Sequence, residues 1–90
     1  MKKTEDEYLH EHRTTVAYDV LKDTVNSLKA RYIALGRAAV GDPEAQEQYN
    51  ARMREVRDEV LRVDPRDLQA VTDLTERYGT ELRELRREEG

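Results

Sequence analysis

Any chemistry this chain performs would have to come from EYLHEHRT, residues 7–14, where both of its histidines stand among carboxylates. The run HEHRT begins like the zinc-protease pattern HExxH, in which two histidines one turn apart grip a metal and the glutamate acts as base. Thr14 stands where the second histidine belongs, so the pattern fails. His10 and His12 are two residues apart, about 200° round a helix, and cannot chelate one ion. Glu7 and His10 form the Glu-x-x-His step of ferritin-like di-iron bundles, which also need inward carboxylates on facing helices. The inward positions later in this chain are Ala, Tyr, Met, Val and Leu. No Gly-rich phosphate loop is present, and no Ser or Thr has a base and an orienting group at motif spacing. The expectation is a chain with no catalytic residue, no metal and no cofactor, whose work is binding.

Composition bounds the scaffold that would do that binding. The chain has 90 residues, 40% of them charged, with no Phe, Trp or Cys and five Tyr. A single domain of this size buries roughly 60–65% of its unfolded surface, so a thin core of Leu, Val, Ile, Ala, Met and Tyr is expected. Without cysteine there is neither a disulfide framework nor a thiolate metal site, and a reducing cytoplasm is the natural setting. No apolar run approaches a membrane span or a signal-peptide core, which leads to the expectation of a soluble chain without membrane contact. The net charge of −4 argues against a nucleic-acid surface, which needs clustered Lys and Arg. The acids are concentrated: TEDEYLHEH, residues 4–12, holds Glu5, Asp6, Glu7 and Glu11 and no Lys or Arg. Acids there complement the amide end of a helix dipole, or present an acidic contact to a basic partner.

Apolar spacing supplies the elements. Tyr18, Leu21, Val25, Leu28, Tyr32, Leu35 and Ala39 step by threes and fours, the signature of one helical face. Ala45, Tyr49, Met53, Val56, Val60 and Val63 repeat the pattern, and so do Leu68, Val71, Leu74, Tyr78, Leu82 and Leu85. GDPEA at 41–45 and VDPRD at 63–67 read as helix starts, each with an Asp cap followed by a Pro at the first helical position. In the second, Val63 and Leu68 have the spacing of a hydrophobic staple, while Gly41 suits the left-handed end of the preceding helix. Gly36 and Gly79 fall inside helical patterns at a cost of about 1 kcal/mol each relative to Ala, with Gly79 placed either to bend the last helix or to end it. Short connections make sequential helices antiparallel. The expected fold is all-α, one helical domain over 1–90. It is a three-helix antiparallel bundle with helices near 4–40, 42–62 and 65–87, the first of them long or broken.

A second stripe lies on the first helix. At 100° per residue Glu5, Leu9, His12, Val16, Val20, Asp23 and Ser27 share one narrow arc, roughly opposite the Tyr18–Leu35 face. Two neighbours in a three-helix bundle cover one side of a helix, so this stripe would await a partner. A break at RTT, residues 13–15, with Thr14 or Thr15 as a new cap, would instead let a short separate helix over 4–12 fold back and bury its own Leu9 internally.

VDPRDLQAVTDLTERYG, residues 63–79, resembles the final helix of the epsilon antitoxins, partners of the zeta toxins, where a similar acidic lead-in and LQAV step open the last helix. Length, helix order and the acidic N-terminal lead are also similar. The resemblance implies a mechanism. Zeta toxins are P-loop kinases acting on a UDP-activated amino sugar needed for cell-wall synthesis, and the epsilon subunit lays its N-terminal helix over the nucleotide site so that ATP is kept out. Such a site is lined with Lys, Arg and helix N-terminal amides. A helix bearing Glu5, Glu11, Asp19 and Asp23 beside Leu9, His12, Val16 and Val20 would suit it, carboxylates toward the cations and aliphatics toward the adenine pocket. The cognate kinase toxin is then the expected partner. The alternative is a self-associating structural, assembly or adaptor module, a homo-oligomer in which Val16 and Val20 meet their symmetry mates.

Overall fold

Thr4 starts the first helix with a reciprocal cap. Its hydroxyl accepts from the Glu7 amide at 3.2 Å, and the Glu7 carboxylate accepts from the Thr4 amide at 3.3 Å. Two amides left orphaned by the first turn are thereby satisfied. In the computed structural model, which describes residues 3–89, helix α1 then runs without interruption from Glu5 to Ala38. The break at 13–15 does not occur. Both threonine hydroxyls donate back to the Glu11 carbonyl at 2.9 Å, so these β-branched residues are satisfied inside the helix instead of capping a new one.

At the far end of α1, Ala39 donates to the carbonyls of Leu35 and Gly36, and Gly41 turns the chain at φ +92°, a left-handed value that glycine takes without a Cβ clash. Asp42 caps α2, Pro43–Arg62, by accepting from the Ala45 amide at 3.1 Å, with Pro43 at the helix start. The next connection departs from expectation. Asp64 does not open a helix; its carboxylate accepts from the Arg66 amide at 2.9 Å, forming a local turn with Pro65. Asp67 takes the capping role, accepting from the Ala70 amide at 3.1 Å, and α3 runs Leu68–Glu89. Two aspartates three residues apart offered two caps, and the turn that Asp64 stabilises left the second as the start. Gly79 neither ends α3 nor interrupts its assignment as one helix.

The three helices form an all-α bundle, and the described residues contain no strand. Gln46 at the start of α2 donates to the Gly36 carbonyl near the end of α1, and Tyr32 reaches Glu81 late in α3. So α2 returns along α1 while α3 runs in the same direction as α1. The backbone of α1 lies close to both others, whereas α2 and α3 meet through side chains. The core joins Leu21, Val25, Leu28 and Tyr32 of α1, Val56 of α2, and Val71, Leu74, Tyr78 and Leu82 of α3. Tyr78 is fully enclosed, and Tyr32 lies tilted against Tyr49 with ring centroids 5.9 Å apart.

Length now separates α1 from its neighbours. At about 1.5 Å per residue its 34 residues extend about 51 Å, against about 33 Å for the 22 residues of α3. The surplus lies at the N-terminal end. Residues 3–13 are all exposed, and the molecule measures 60 Å along its longest axis but 25 and 15 Å across.

A Cβ at Gly36 meets nothing within 4 Å, and one at Gly79 meets only the tip of Arg83 at 3.5 Å. Gly36→Ala and Gly79→Ala are each expected to stabilise the fold by about 0.5–1 kcal/mol by removing backbone freedom from the unfolded chain. Gly41→Ala is expected to destabilise it, because its φ suits no Cβ. Urea denaturation followed by circular dichroism reads all three, and a loss of stability in either helical variant contradicts the account.

Candidate functional site

Two groups of side chains stand out, one by charge and one by exposure. The charged group clasps the three helices together. Arg52 of α2 grips Glu81 of α3 in a two-pronged contact, Nε to Oε2 at 3.0 Å and Nη2 to Oε1 at 2.6 Å, while the Tyr32 hydroxyl of α1 donates to the same carboxylate. Arg52 also reaches Glu55 at 3.1 Å and Glu59 at 3.5 Å, and Glu59 accepts from Arg77 at 3.1 Å. Burial opposes ionisation of Glu81, but the hydrogen bonds from Arg52 and Tyr32 outweigh it and hold the carboxyl below its ordinary range. Burial and the Glu81 carboxylate push the Tyr32 hydroxyl well up, and Glu81 does the same for the Arg52 guanidinium. Tyr78 is pushed up by burial and then by Glu59.

Shifted groups beside a groove are a recurrent mark of active sites. The groove here, about 670 Å³ and lined by Arg52, Asp73, Glu76, Arg77, Thr80 and Glu81, is open to solvent. Arg52 and Arg77 are already occupied by carboxylates, and burial together with these internal partners accounts for every shift. The cluster is therefore an interhelical clasp. Among the described residues no group of three or more His, Asp or Glu is placed to hold a metal ion.

The exposed group is the outer face of α1. Val16 is 47% exposed, Val20 49% and Leu9 47%, while Leu21, Val25 and Leu28 on the opposite side are buried. All eight residues expected to bind a partner are exposed. Glu5, Leu9, His12, Val16, Val20 and Asp23 fall within about 40° of the Val16 direction, and Asp19 lies about 60° from it. Glu11 does not join them. It projects about 140° away, on the flank that faces the bundle further along, and its carboxylate pairs with Lys3, whose ammonium stands 5.9 Å from the Tyr8 ring centroid. Glu7, in the same acidic run, is committed to the Thr4 cap.

The face continues beyond the positions singled out by sequence. Past Ser27, the last position of the sequence-derived stripe, Ala30, Ala34 and Ala38 extend the same arc toward the C-terminal end of α1, all exposed. Small residues carry little hydropathic signal, which is why the second half of the face escaped notice. The Arg52–Glu81–Tyr32 clasp escaped too, since its members lie 29 and 49 residues apart and only the register of three helices unites them. The Thr4–Glu7 cap is legible as Thr-x-x-Glu before a helical run, where Glu7 contributes a specific hydrogen bond besides its charge.

No protein-family model matches the chain, and no curated protein and no solved structure matches it either.

The clasp makes a pH prediction. Because the Glu81 carboxyl is held below its unfolded value of about 4.3, its ionised form stabilises the fold above that pH, and the stabilisation is lost as pH falls through the folded value. Glu81→Gln is expected to cost about 1–2 kcal/mol at neutral pH. That gap between wild type and variant should narrow steadily below about pH 4. A gap independent of pH in acid-series melts would contradict the clasp.

Proposed function

We propose that this chain is an inhibitory binding subunit, an antitoxin that docks on a zeta-type P-loop kinase toxin and lays α1 across its nucleotide site. The observation that carries this reading is the exposure of Val16 and Val20 on the side of α1 that the bundle leaves bare. The likeness of residues 63–79 to the epsilon antitoxins supplies the partner class. A nucleotide pocket presents cations and helix amides to phosphates and an apolar slot to a base. Glu5, Asp19 and Asp23 match the first requirement, and Leu9, Val16 and Val20 match the second. Glu11, on the far flank and paired with Lys3, takes no part in this contact.

The two kinds of side chain have different work in such a complex. Carboxylates at the rim speed and orient encounter with a basic pocket and make it sensitive to salt. Aliphatic anchors, once desolvated, slow release. A projecting helix suits this task, because a rod about as wide as a cleft enters where a whole bundle would not. The chain blocks a reaction and carries out none, and its place of action is the cytoplasm, where the kinase meets ATP. No described helix is long and apolar enough to cross a membrane.

Isothermal titration of the full chain against a purified zeta-type kinase tests the reading. Wild type is expected to bind and to compete with ATP. Val16→Arg combined with Val20→Asp is expected to weaken binding by about 100-fold or more, while the thermal melt moves by no more than about 3 °C. Absence of binding by the wild type, or binding that leaves ATP affinity unchanged, would sink the proposal.

A further inference from the structure

Away from the arm, bulky aliphatics reach solvent together at the opposite end of the bundle. Ile33 is 45% exposed and Val40 80%, and with Met53 they border a groove of about 420 Å³ between the end of α1 and the first turns of α2. Gly36 lies in its floor, and a Cβ built there meets nothing within 4 Å. The Gly36 carbonyl already accepts from the Gln46 side chain at 3.1 Å and from the Ala39 amide at 3.2 Å. The floor is therefore an apolar notch with its backbone acceptor satisfied.

Charge on this side of the molecule runs against the chain as a whole. Between Asp23 and Asp42 the sequence contains Lys29, Arg31 and Arg37 and no acid, in a protein of net charge −4. Lys22, Asn26, Lys29, Ile33 and Arg37 fall within about 80° of one another on the flank of α1 that turns toward α2. None of the residues lining the groove is acidic. Among the described residues neither Lys29 nor Arg37 forms an ion pair. Arg37, in the last turn, complements the carbonyl end of α1, but Lys29 stands more than two turns before that end, beyond the reach of the dipole.

We propose that this groove docks an acidic amphipathic helix of a second protein. One aliphatic side chain of that helix fills the notch over Gly36, between Ile33, Val40 and Met53, and carboxylates a turn or two away meet Lys29 and Arg37. The basic strip from Lys22 to Arg37 is about 22 Å long, which matches a guest helix of about four turns. A phosphate backbone fits less well. It offers the notch no aliphatic anchor, and it meets Asp19 and Asp23 at one end of the strip and Asp42 at the other. The groove lies about 30 Å along α1 from Val16 and on a different flank, so both surfaces can be covered at once. The proposal goes beyond the inhibitory reading and does not depend on it.

A synthetic helical peptide of about 15 residues, with leucines at i, i+4 and i+7 and glutamates beside them, serves as the probe. Titrated into the full chain under ¹⁵N NMR, it should shift the amides of Ile33, Gly36, Arg37, Val40 and Asn50. The same peptide with glutamine for every glutamate should bind at least about fivefold more weakly. Gly36→Leu fills the notch and should weaken binding by about 10-fold or more, with no loss of thermal stability. Lys29→Glu combined with Arg37→Glu should reverse the preference, favouring a lysine version of the peptide over the glutamate one. No binding by the wild type, equal affinity for the glutamate and glutamine peptides, or shifts centred on Leu9, Val16 and Val20 would overturn the proposal. So would a short DNA duplex that shifts the same amides at lower concentration than the peptide. No kinase enters these titrations, so their failure leaves the inhibitory reading standing.

Discussion

A helix buried by only two neighbours keeps part of its circumference in water, and α1 lives under that constraint along its whole length. α2 and α3 are both shorter, and both pack on the flank that carries Leu21, Val25, Leu28 and Tyr32. Everything on the opposite flank must then be tolerated by solvent or covered by something else. Alanines and a serine are tolerated cheaply; Leu9, Val16 and Val20 each leave nearly half of their surface wet. Scattered exposed aliphatics need no explanation, but three of them at helical spacing on one projecting rod form a ridge.

The same constraint explains how so polar a chain holds one arrangement. Its core contains few large side chains, and the backbones of α2 and α3 do not approach closely. What aligns them is directional. The two-pronged Arg52–Glu81 contact, with the Tyr32 hydroxyl on the same carboxylate, specifies the rotation of three helices at once. A slide of one turn would leave a partly buried guanidinium and carboxylate without each other, which costs more than an equivalent slide of aliphatics. Leucines and valines supply the burial, and the clasp supplies the register.

On the proposed reading, recognition and stability are divided between the two sides of one helix. The inner side is spent on the core and the clasp, the outer side is available for recognition, and substitutions on one side act little on the other. The arm before Thr14 adds nothing to the buried core, since residues 3–13 are all exposed. Its stability comes from the Thr4–Glu7 cap, from acids in the first turn and from continuity with the packed part of α1.

Local chemistry along the chain determined the helices, the start of the second at Asp42–Pro43 and the inward faces of all three. Tyr18 to Ala39, Ala45 to Val63 and Leu68 to Leu85 showed the period of 3.6, Gly41 and Asp42–Pro43 marked one boundary, and the opposition of Val16 and Val20 to Leu21 and Val25 followed from helical geometry. Each of these depends on residues within a few turns of one another, which is the range over which sequence alone speaks. Tertiary structure decided the rest. Whether the Thr14–Thr15 hydroxyls ended one helix or stayed within it, and whether Asp64 or Asp67 began another, were contests between local options of similar energy. Glu81 found Arg52 and Tyr32 across 29 and 49 residues, and the small-residue half of the outer face gained a furrow only when α3 settled beside it. Such pairings exist only after three rods have taken a common register, and no spacing along the chain encodes that directly.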